Sequence, residues 1–300
     1  MSTVFETLYS LAIELQINPE HKTLTRHHNL DRDIVENRLQ NSILTLVMPG
    51  ENINSSWQIL RIFCLNLVNR AQAPVSEMEV KKLLDFVEMN YEQDSDRIAN
   101  ISRVAGERLV GNRSEHFIIA IKKVTSQECL AALGNRNYLE WISQRWIYWV
   151  NQHVDDLDTE ELLKDINILS SSRITKIKGM GLPLASNFFA DLGLIVFGKP
   201  DLHVTPIINL LCLDSGEEAA FRGLVKIAKL DNRRLHLTRR FEWLDGGGGL
   251  HPRYLDRLIY LIGSDNFLLN GVKNKQKSPL RRKLMIEALI QAGHIKSDYM

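Results

Sequence analysis

The chain has 300 residues, 44% of them apolar and 24% charged, with a formal net charge of +1. That is the balance of an ordinary globular protein with room for one large domain or two lobes. It excludes a membrane-spanning chain, since no run approaches the ~20 apolar residues a spanning helix needs; the N-terminus lacks a basic start and a long apolar core, so no signal peptide is expected and a cytoplasmic location is.

The first predicted element is a helix over residues 1–17, with Phe5, Leu8, Leu11, Ala12 and Leu15 on one side and Pro19 ending it. His21, His27 and His28 follow in a polar stretch without metal-ligand company and read as surface residues. Residues 34–47 and 57–69 read as helices separated by a Met-Pro-Gly-Glu-Asn turn at 48–52. Pro74 introduces another, in which Ser76 and Glu79 form a capping box ahead of Val80, Leu83, Leu84 and Val87. The polar interval from Glu92 to Arg97 suggests a boundary. Residues 98–110 and 116–124 read as helices, the second in spite of a Phe-Ile-Ile-Ala-Ile run that suits a strand by composition. Gly134-Asn135 is a turn.

Residues 138–150 form the most aromatic segment, with Trp141 and Tyr148 on one line and Ile142, Trp146 and Trp149 on a neighbouring one. Core packing explains such a helix. Alternatively, one ring stacks on an extruded base, while Gln144 and Arg145 read base edges or hold a phosphate. Asp158 and Glu161 make a further capping box, opening a helix at Thr159.

Residues 174–189 then read as helix, glycine hairpin, helix. Gly179-Met180-Gly181 turns the chain, and Leu184, Ala185, Phe188, Phe189 and Leu192 restore an apolar face. Two glycines around one apolar residue let a backbone come close and leave amides unpaired at a helix start, an arrangement that binds phosphate. Lys176 and Lys178 add positive charge there. The same turn also serves for packing alone. Asp201, in Asp-Leu-His-Val after Lys199 and Pro200, follows Gly181 by 20 residues.

This order and spacing resembles the helix-hairpin-helix DNA glycosylase superfamily, in which a (Pro/Lys)-Gly-x-Gly-x-x-x-Ala hairpin precedes a catalytic aspartate in Asp-x-His-(Val/Ile). The matching residues are Lys178, Gly179, Gly181, Ala185, Asp201, His203 and Val204. The match is tight over about 170–210, extends over roughly 105–265 and does not reach the first 100 residues. It implies an all-α, two-lobed fold with an interlobe active-site cleft. The corresponding division is 1–104, then 105–215 with the hairpin and Asp201, then 216–300 packing with the N-terminal helices. The implied partner of a monomer is double-stranded DNA carrying a damaged or modified base. Asp201 is the implied catalytic residue, and Lys176, Lys178, Gly179, Gly181, Arg281 and Arg282 are the DNA-backbone contacts. Trp141, Gln144, Trp146, Asn187 and His203 are the base-pocket candidates; Asn187 and His203 suit the interior as well.

The chemistry asked of Asp201 is definite. Cleaving the bond between base and deoxyribose develops an oxocarbenium-like sugar and needs water at the anomeric carbon. A fixed carboxylate stabilises the first and accepts the proton of the second. It must stay ionised while partly shielded, which a helix start favours. A plain N-cap is the alternative role. Pro206 after Thr205 also suits a helix beginning there, which sets Asp201 a turn early and weakens the dipole argument.

The resemblance also sets the reaction type. In relatives that cut the backbone, a lysine two residues after the second glycine forms a Schiff base; here Pro183 stands there, so hydrolysis leaving an abasic site is expected. No metal or cofactor is expected. The four-cysteine iron–sulfur loop of some relatives has no counterpart, because no cysteine follows Cys212. Cys64, Cys129 and Cys212 lie far apart in apolar contexts and read as buried thiols.

Beyond Asp201, residues 206–213 and 217–228 read as helices, and Arg233, Arg234, Arg239 and Arg240 cluster after them. Gly246 to Gly249 reads as a floppy connection. His251-Pro252 opens a helix that Gly263 ends, and Pro279 begins the last one. Charge is uneven: residues 76–100 hold seven acids against Lys81, Lys82 and Arg97, whereas residues 271–300 hold five lysines and two arginines against Glu287 and Asp298. Such a basic tail fits a phosphate-binding face. Two rival readings stand beside repair: removal of a bulky modified base from foreign phage DNA as antiviral defence, and a non-enzymatic helix-hairpin-helix module that only binds DNA.

Overall fold

The computed structural model describes residues 2–15, 17, 32–45, 55–68, 75–109, 115–235, 241–247, 249–264 and 277–296. Among these the protein is all-α, with thirteen α-helices and three short 3-10 turns, no strand, and no helix long and apolar enough to cross a membrane. The three N-terminal histidines, the turn at 48–52, Pro74, Arg239 and Arg240 lie outside the described residues.

In chain order the first helices are α1 (Val4–Glu14), α2 (Arg32–Thr45), α3 (Ser56–Val68), α4 (Glu77–Asn90), α5 (Asp94–Arg108), α6 (Glu115–Thr125) and α7 (Tyr138–Trp149). They continue as α8 (Thr159–Ser170), α9 (Leu182–Asp191), α10 (Val204–Cys212), α11 (Glu217–Leu235), α12 (Pro252–Gly263) and α13 (Lys277–Gln291). Local chemistry sets several starts. The Ser76–Glu79 capping box opens α4 as its sequence predicts, and Thr3–Glu6 and Asn137–Glu140 open α1 and α7 the same way. Gly134 (φ 68°) and Asn135 (φ 60°) make the expected turn in the left-handed region.

Two local expectations change, and the helix expected at 116–124 holds. The polar interval 92–97 is no boundary: Asp94 and Asp96 form the acidic first turn of α5, where the helix dipole favours them. The segment 116–124 is helical despite its strand-like composition, and its buried face is Phe117, Ala120, Ile121 and Val124. The glycine stretch is not simply floppy. Residues 242–247 form a 3-10 turn, and Gly249 (φ 104°) lies so close to Asn232 that a Cβ would sit 2.3 Å from its Oδ1.

Contacts divide the chain into two units. Unit 1 is residues 1–48, 152–159 and 195–300; unit 2 is residues 49–151 and 160–194. In unit 1, Phe5 and Tyr9 of α1 meet Phe241 edge-on, with ring centroids 5.4 and 5.1 Å apart. Asp231 of α11 accepts the Phe5 N–H at 2.8 Å, and α12 buries Leu255, Leu258, Ile259 and Ile262 completely. In unit 2, α3 touches α4, α5, α6, α7 and α9, and its Trp57, Leu60, Phe63 and Cys64 are fully buried. Each such apolar side chain contributes roughly 1.5–3 kcal/mol.

This partition differs from the division at 104 and 215 in three places, the smallest being residues 152–159, which join unit 1. Residues 1–48 and 49–104 belong to different units, and Asp201 goes with the N- and C-terminal helices rather than with the hairpin. The cause lies just after Leu194: the Ile195 carbonyl accepts the Arg253 N–H at 3.1 Å and the Lys199 N–H donates to Asp256 at 2.6 Å. Both partners are on α12, so the chain from 195 onward is tied to unit 1.

Candidate functional site

The hairpin of unit 2 is built from carbonyls that are covered and amides that are open. Lys123 Nζ donates to the carbonyls of Ile174 (3.0 Å) and Lys176 (2.8 Å), and the Tyr138 hydroxyl donates to that of Thr175. The Ile177 N–H reaches back to Leu169 O at 2.9 Å and the Met180 N–H closes the turn on Ile177 O at 3.1 Å. Gly181 O then receives the N–H groups of Leu184 (3.1 Å) and Ala185 (2.9 Å), starting α9. Among the described residues the N–H groups of Gly179, Gly181 and Leu182 donate to nothing. A helix start with three open amides and two lysines nearby in sequence offers the donors an anion would need.

The two glycines differ in why they are there. Gly179 has φ 86°, a conformation that excludes a side chain at low cost. Gly181 has φ −82° and ψ 175°, which any residue adopts. A Cβ there would have Pro183 Cδ, at 3.9 Å, as its nearest neighbour, so nothing inside the protein forbids one. Lys176 and Lys178 are exposed, and Lys178 Nζ lies 3.3 Å from His116 Nε2 on α6. Because lysine can only donate, His116 accepts there through an unprotonated nitrogen. His116, Lys123 and Tyr138 carry no spacing that marks them in the sequence.

In unit 1, Asp201 holds its own helix start. Its Oδ1 accepts the N–H groups of His203 (2.9 Å) and Val204 (3.1 Å), and its carbonyl accepts the Thr205 N–H at 2.8 Å. The helix starts at Val204 with His203, not Thr205, at its N-cap, and Asp201 lies two residues ahead of that cap; Thr205 Oγ1 donates instead to Pro200 O at 2.9 Å. Asp201 thus stands ahead of the helix proper, yet its carboxylate still receives two amides of the helix start. Asp201 is half-buried, and among the described residues its Oδ2 accepts no hydrogen bond.

The two residues after Asp201 meet α12 and α13. His203 packs its ring on Tyr260, centroids 5.6 Å apart, and on Gly263, where a Cβ would lie 3.0 Å from Nδ1. Arg282 Nη2 reaches the carbonyl of Leu202, the residue after Asp201, at 3.5 Å; Arg281 is half-buried. The remaining lysines at 271–276 lie outside the described residues.

The base-pocket candidates of unit 2 are placed differently from one another. Trp141 is only 7% exposed and packs edge-on against Phe189, so its ring is core. Trp146 donates its Nε1–H to Leu192 O at 2.9 Å, and Gln144 is exposed. Asn187 is buried and donates to Asn66 Oδ1 (2.7 Å) and Asp191 Oδ2 (2.8 Å), a strut between α3 and α9. Arg145 is committed as well, to Asp165 at 2.6 Å and Glu161 at 3.0 Å. The exposed ring of α7 is Tyr148, at 46%, with the Arg145 guanidinium 4.5 Å from its centroid. Helical periodicity separates the faces of α7 but does not say which face another helix will cover.

No known protein family, curated protein or solved structure matches the chain.

Proposed function

We propose that the protein is a monofunctional DNA glycosylase that hydrolyses the bond between deoxyribose and a damaged or modified base flipped out of duplex DNA, leaving an abasic site. On this reading the two units are the two lobes of the helix-hairpin-helix glycosylase fold, and the protein works as a monomer in the cytoplasm. The observation that carries the reading is the state of Asp201. Among the described residues, one carboxylate oxygen is fixed by two helix-start amides while the other accepts nothing, at the end of a motif whose hairpin leaves three amides open.

On this reading the work is divided between the two motifs. The amides of Gly179, Gly181 and Leu182, with Lys176 and Lys178, seat a backbone phosphate, and binding weakens steeply with salt. Extrusion of the nucleotide costs a few kcal/mol, least for a damaged base. Asp201 Oδ1 is anchored, so its charge stays beside the sugar as positive character develops; Oδ2 accepts the proton of the attacking water. Arg282 meets a phosphate near the same carboxylate. Pro183 cannot form a Schiff base, so the strand is left intact.

The test is a screen for free base released from duplexes carrying alkylated, oxidised and deaminated bases, with modified phage DNA as a separate arm. Release from the oligonucleotide panel supports a repair enzyme, and release from phage DNA alone supports the antiviral role. Binding without release in every arm, unchanged in Asp201→Asn, reduces the protein to a DNA-binding module. A covalent adduct trapped by borohydride contradicts the monofunctional assignment.

A further inference from the structure

We propose that Asp256 is a positioning residue for Asp201: its ionised carboxylate grips the Lys199 amide and so fixes the turn that presents Asp201, and protonation slackens that turn. The catalytic consequence rests on the glycosylase reading; the coupling itself does not. The chain of bonds is short. Asp256 Oδ2 accepts the Lys199 N–H at 2.6 Å, and the carbonyl of Lys199 accepts the Asp201 N–H at 2.9 Å. A charge-assisted bond of that length is stronger than a neutral one, and it lasts only while the carboxylate is ionised.

The turn has little slack elsewhere. Its start is clamped where Arg253 N–H donates to Ile195 O, and Gly198 is so tightly enclosed that a Cβ would sit 3.0 Å from both Leu224 Cδ1 and Pro252 O. The Asp256 side chain is 4% exposed and pairs with the equally buried Arg253, Nη1 to Oδ2 at 3.3 Å. A buried ion pair is a poor way to add stability, because desolvation offsets the attraction. A carboxylate kept in such a place is better explained by what it holds.

Four groups bear on its charge: Arg253 and Arg257 from α12, and the Lys199 amide and Asp201 from the turn. Burial pushes the Asp256 carboxyl up to about 6, against the pull of Arg253, the Lys199 N–H and Arg257, and the negative charge of Asp201 pushes the same way as burial.

The experiment is a pH titration of the full chain by NMR, reading the carboxyl carbons of Asp201 and Asp256 and the amide of Lys199. The expected result is a Lys199 amide whose shift follows the Asp256 midpoint, near 6. In Asp201→Asn, which keeps the oxygen that accepts the His203 and Val204 amides, the Asp256 midpoint falls. If the wild type releases base, Asp256→Asn loses about tenfold in kcat with KM unchanged, the penalty of a loosened catalytic group, and its acid limb moves. A Lys199 amide indifferent to Asp256, or an Asp256 midpoint unmoved in Asp201→Asn, overturns the proposal even if Asp256→Asn does not fold. A wild type that shows both couplings and releases no base from any duplex upholds the coupling and overturns the function.

Discussion

The hairpin and the Asp201 turn use the same helix-start chemistry in opposite senses. At the hairpin the carbonyls of 174–176 are covered by Lys123, Cys129 and Tyr138, and the amides that follow are left open. At the turn the amides of Lys199, His203 and Val204 are all taken by carboxylates, and what remains open is an acidic oxygen. One region offers donors, the other an acceptor. They are also held by different means: the hairpin carbonyls by the Lys123 ammonium and the buried Cys129 and Tyr138, the turn by a buried charge cluster on α12. Substitutions should therefore separate binding from stability at the hairpin and entangle chemistry with protonation at the turn.

The largest expected effect breaks the acceptor. Asp201→Asn keeps a side-chain oxygen for the His203 and Val204 amides, and asparagine caps a helix as well as aspartate does. Thermal stability and DNA affinity should stay near those of the wild type while single-turnover base release falls about 10³-fold, the combined loss of charge stabilisation and proton acceptance. Asp201→Ala is the less informative variant, since it also removes the cap at about 1 kcal/mol.

Next in size is a control on the donor side. Unit 2 does contain a buried charge network, but away from the hairpin: Asp165 takes Arg145 Nε and Trp149 Nε1, each at 2.6 Å. Burial raises the Asp165 carboxyl in spite of those bonds. Arg145→Met leaves that carboxylate without its cation and should lower unfolding free energy by about 3 kcal/mol. Adding Asp165→Asn should recover much of the loss, a coupling that a double-mutant cycle in denaturant measures. Hairpin affinity for DNA should not change in the doubly substituted protein.

Much of this was readable from residue order alone. Helix existence followed from apolar spacing and caps, as at Ser76–Glu79, and the hairpin followed from Gly179 and Gly181. What failed was whatever depends on partners distant in sequence. Asp201 was grouped with the hairpin because the two are 20 residues apart, yet its turn is tied through Lys199 to Asp256, 57 residues on. Trp141, Trp146 and Tyr148 share a helix, and only the packing of α9 decides that the first is core. The charged residues at 92–97 suggested a linker because polarity is common to linkers and to helix first turns.

A smaller effect concerns pH. Asp231 of α11 is buried against α1, and burial pushes its carboxyl from an ordinary 3.8 up to about 6 although the Phe5 N–H pulls it down. Its folded-state value is raised, so the native state holds the extra proton. The stability it contributes is full below about 4 and is lost as pH rises through about 6. Between those limits the loss is on the order of 2 kcal/mol. Asp231→Asn, which preserves the acceptor for Phe5, should flatten the curve of unfolding free energy against pH in that window, leaving the share due to Asp256.

The smallest change in stability makes the sharpest test of the comparison. Gly181 caps α9 in a backbone conformation open to any residue, with room for a Cβ, so glycine is not required there by the fold. Serine is a better cap than glycine by a few tenths of a kcal/mol and has fewer unfolded conformations to lose. Gly181→Ser should therefore stabilise the protein by about 0.5 kcal/mol, seen as a higher denaturation midpoint. If the open amides seat a phosphate, the same side chain stands where the phosphate must come and its hydroxyl competes for the donors, so DNA affinity at fixed salt should drop about tenfold, or 1.4 kcal/mol. Stability and binding then move in opposite directions from a single added group, which a hairpin serving only to pack two helices cannot produce.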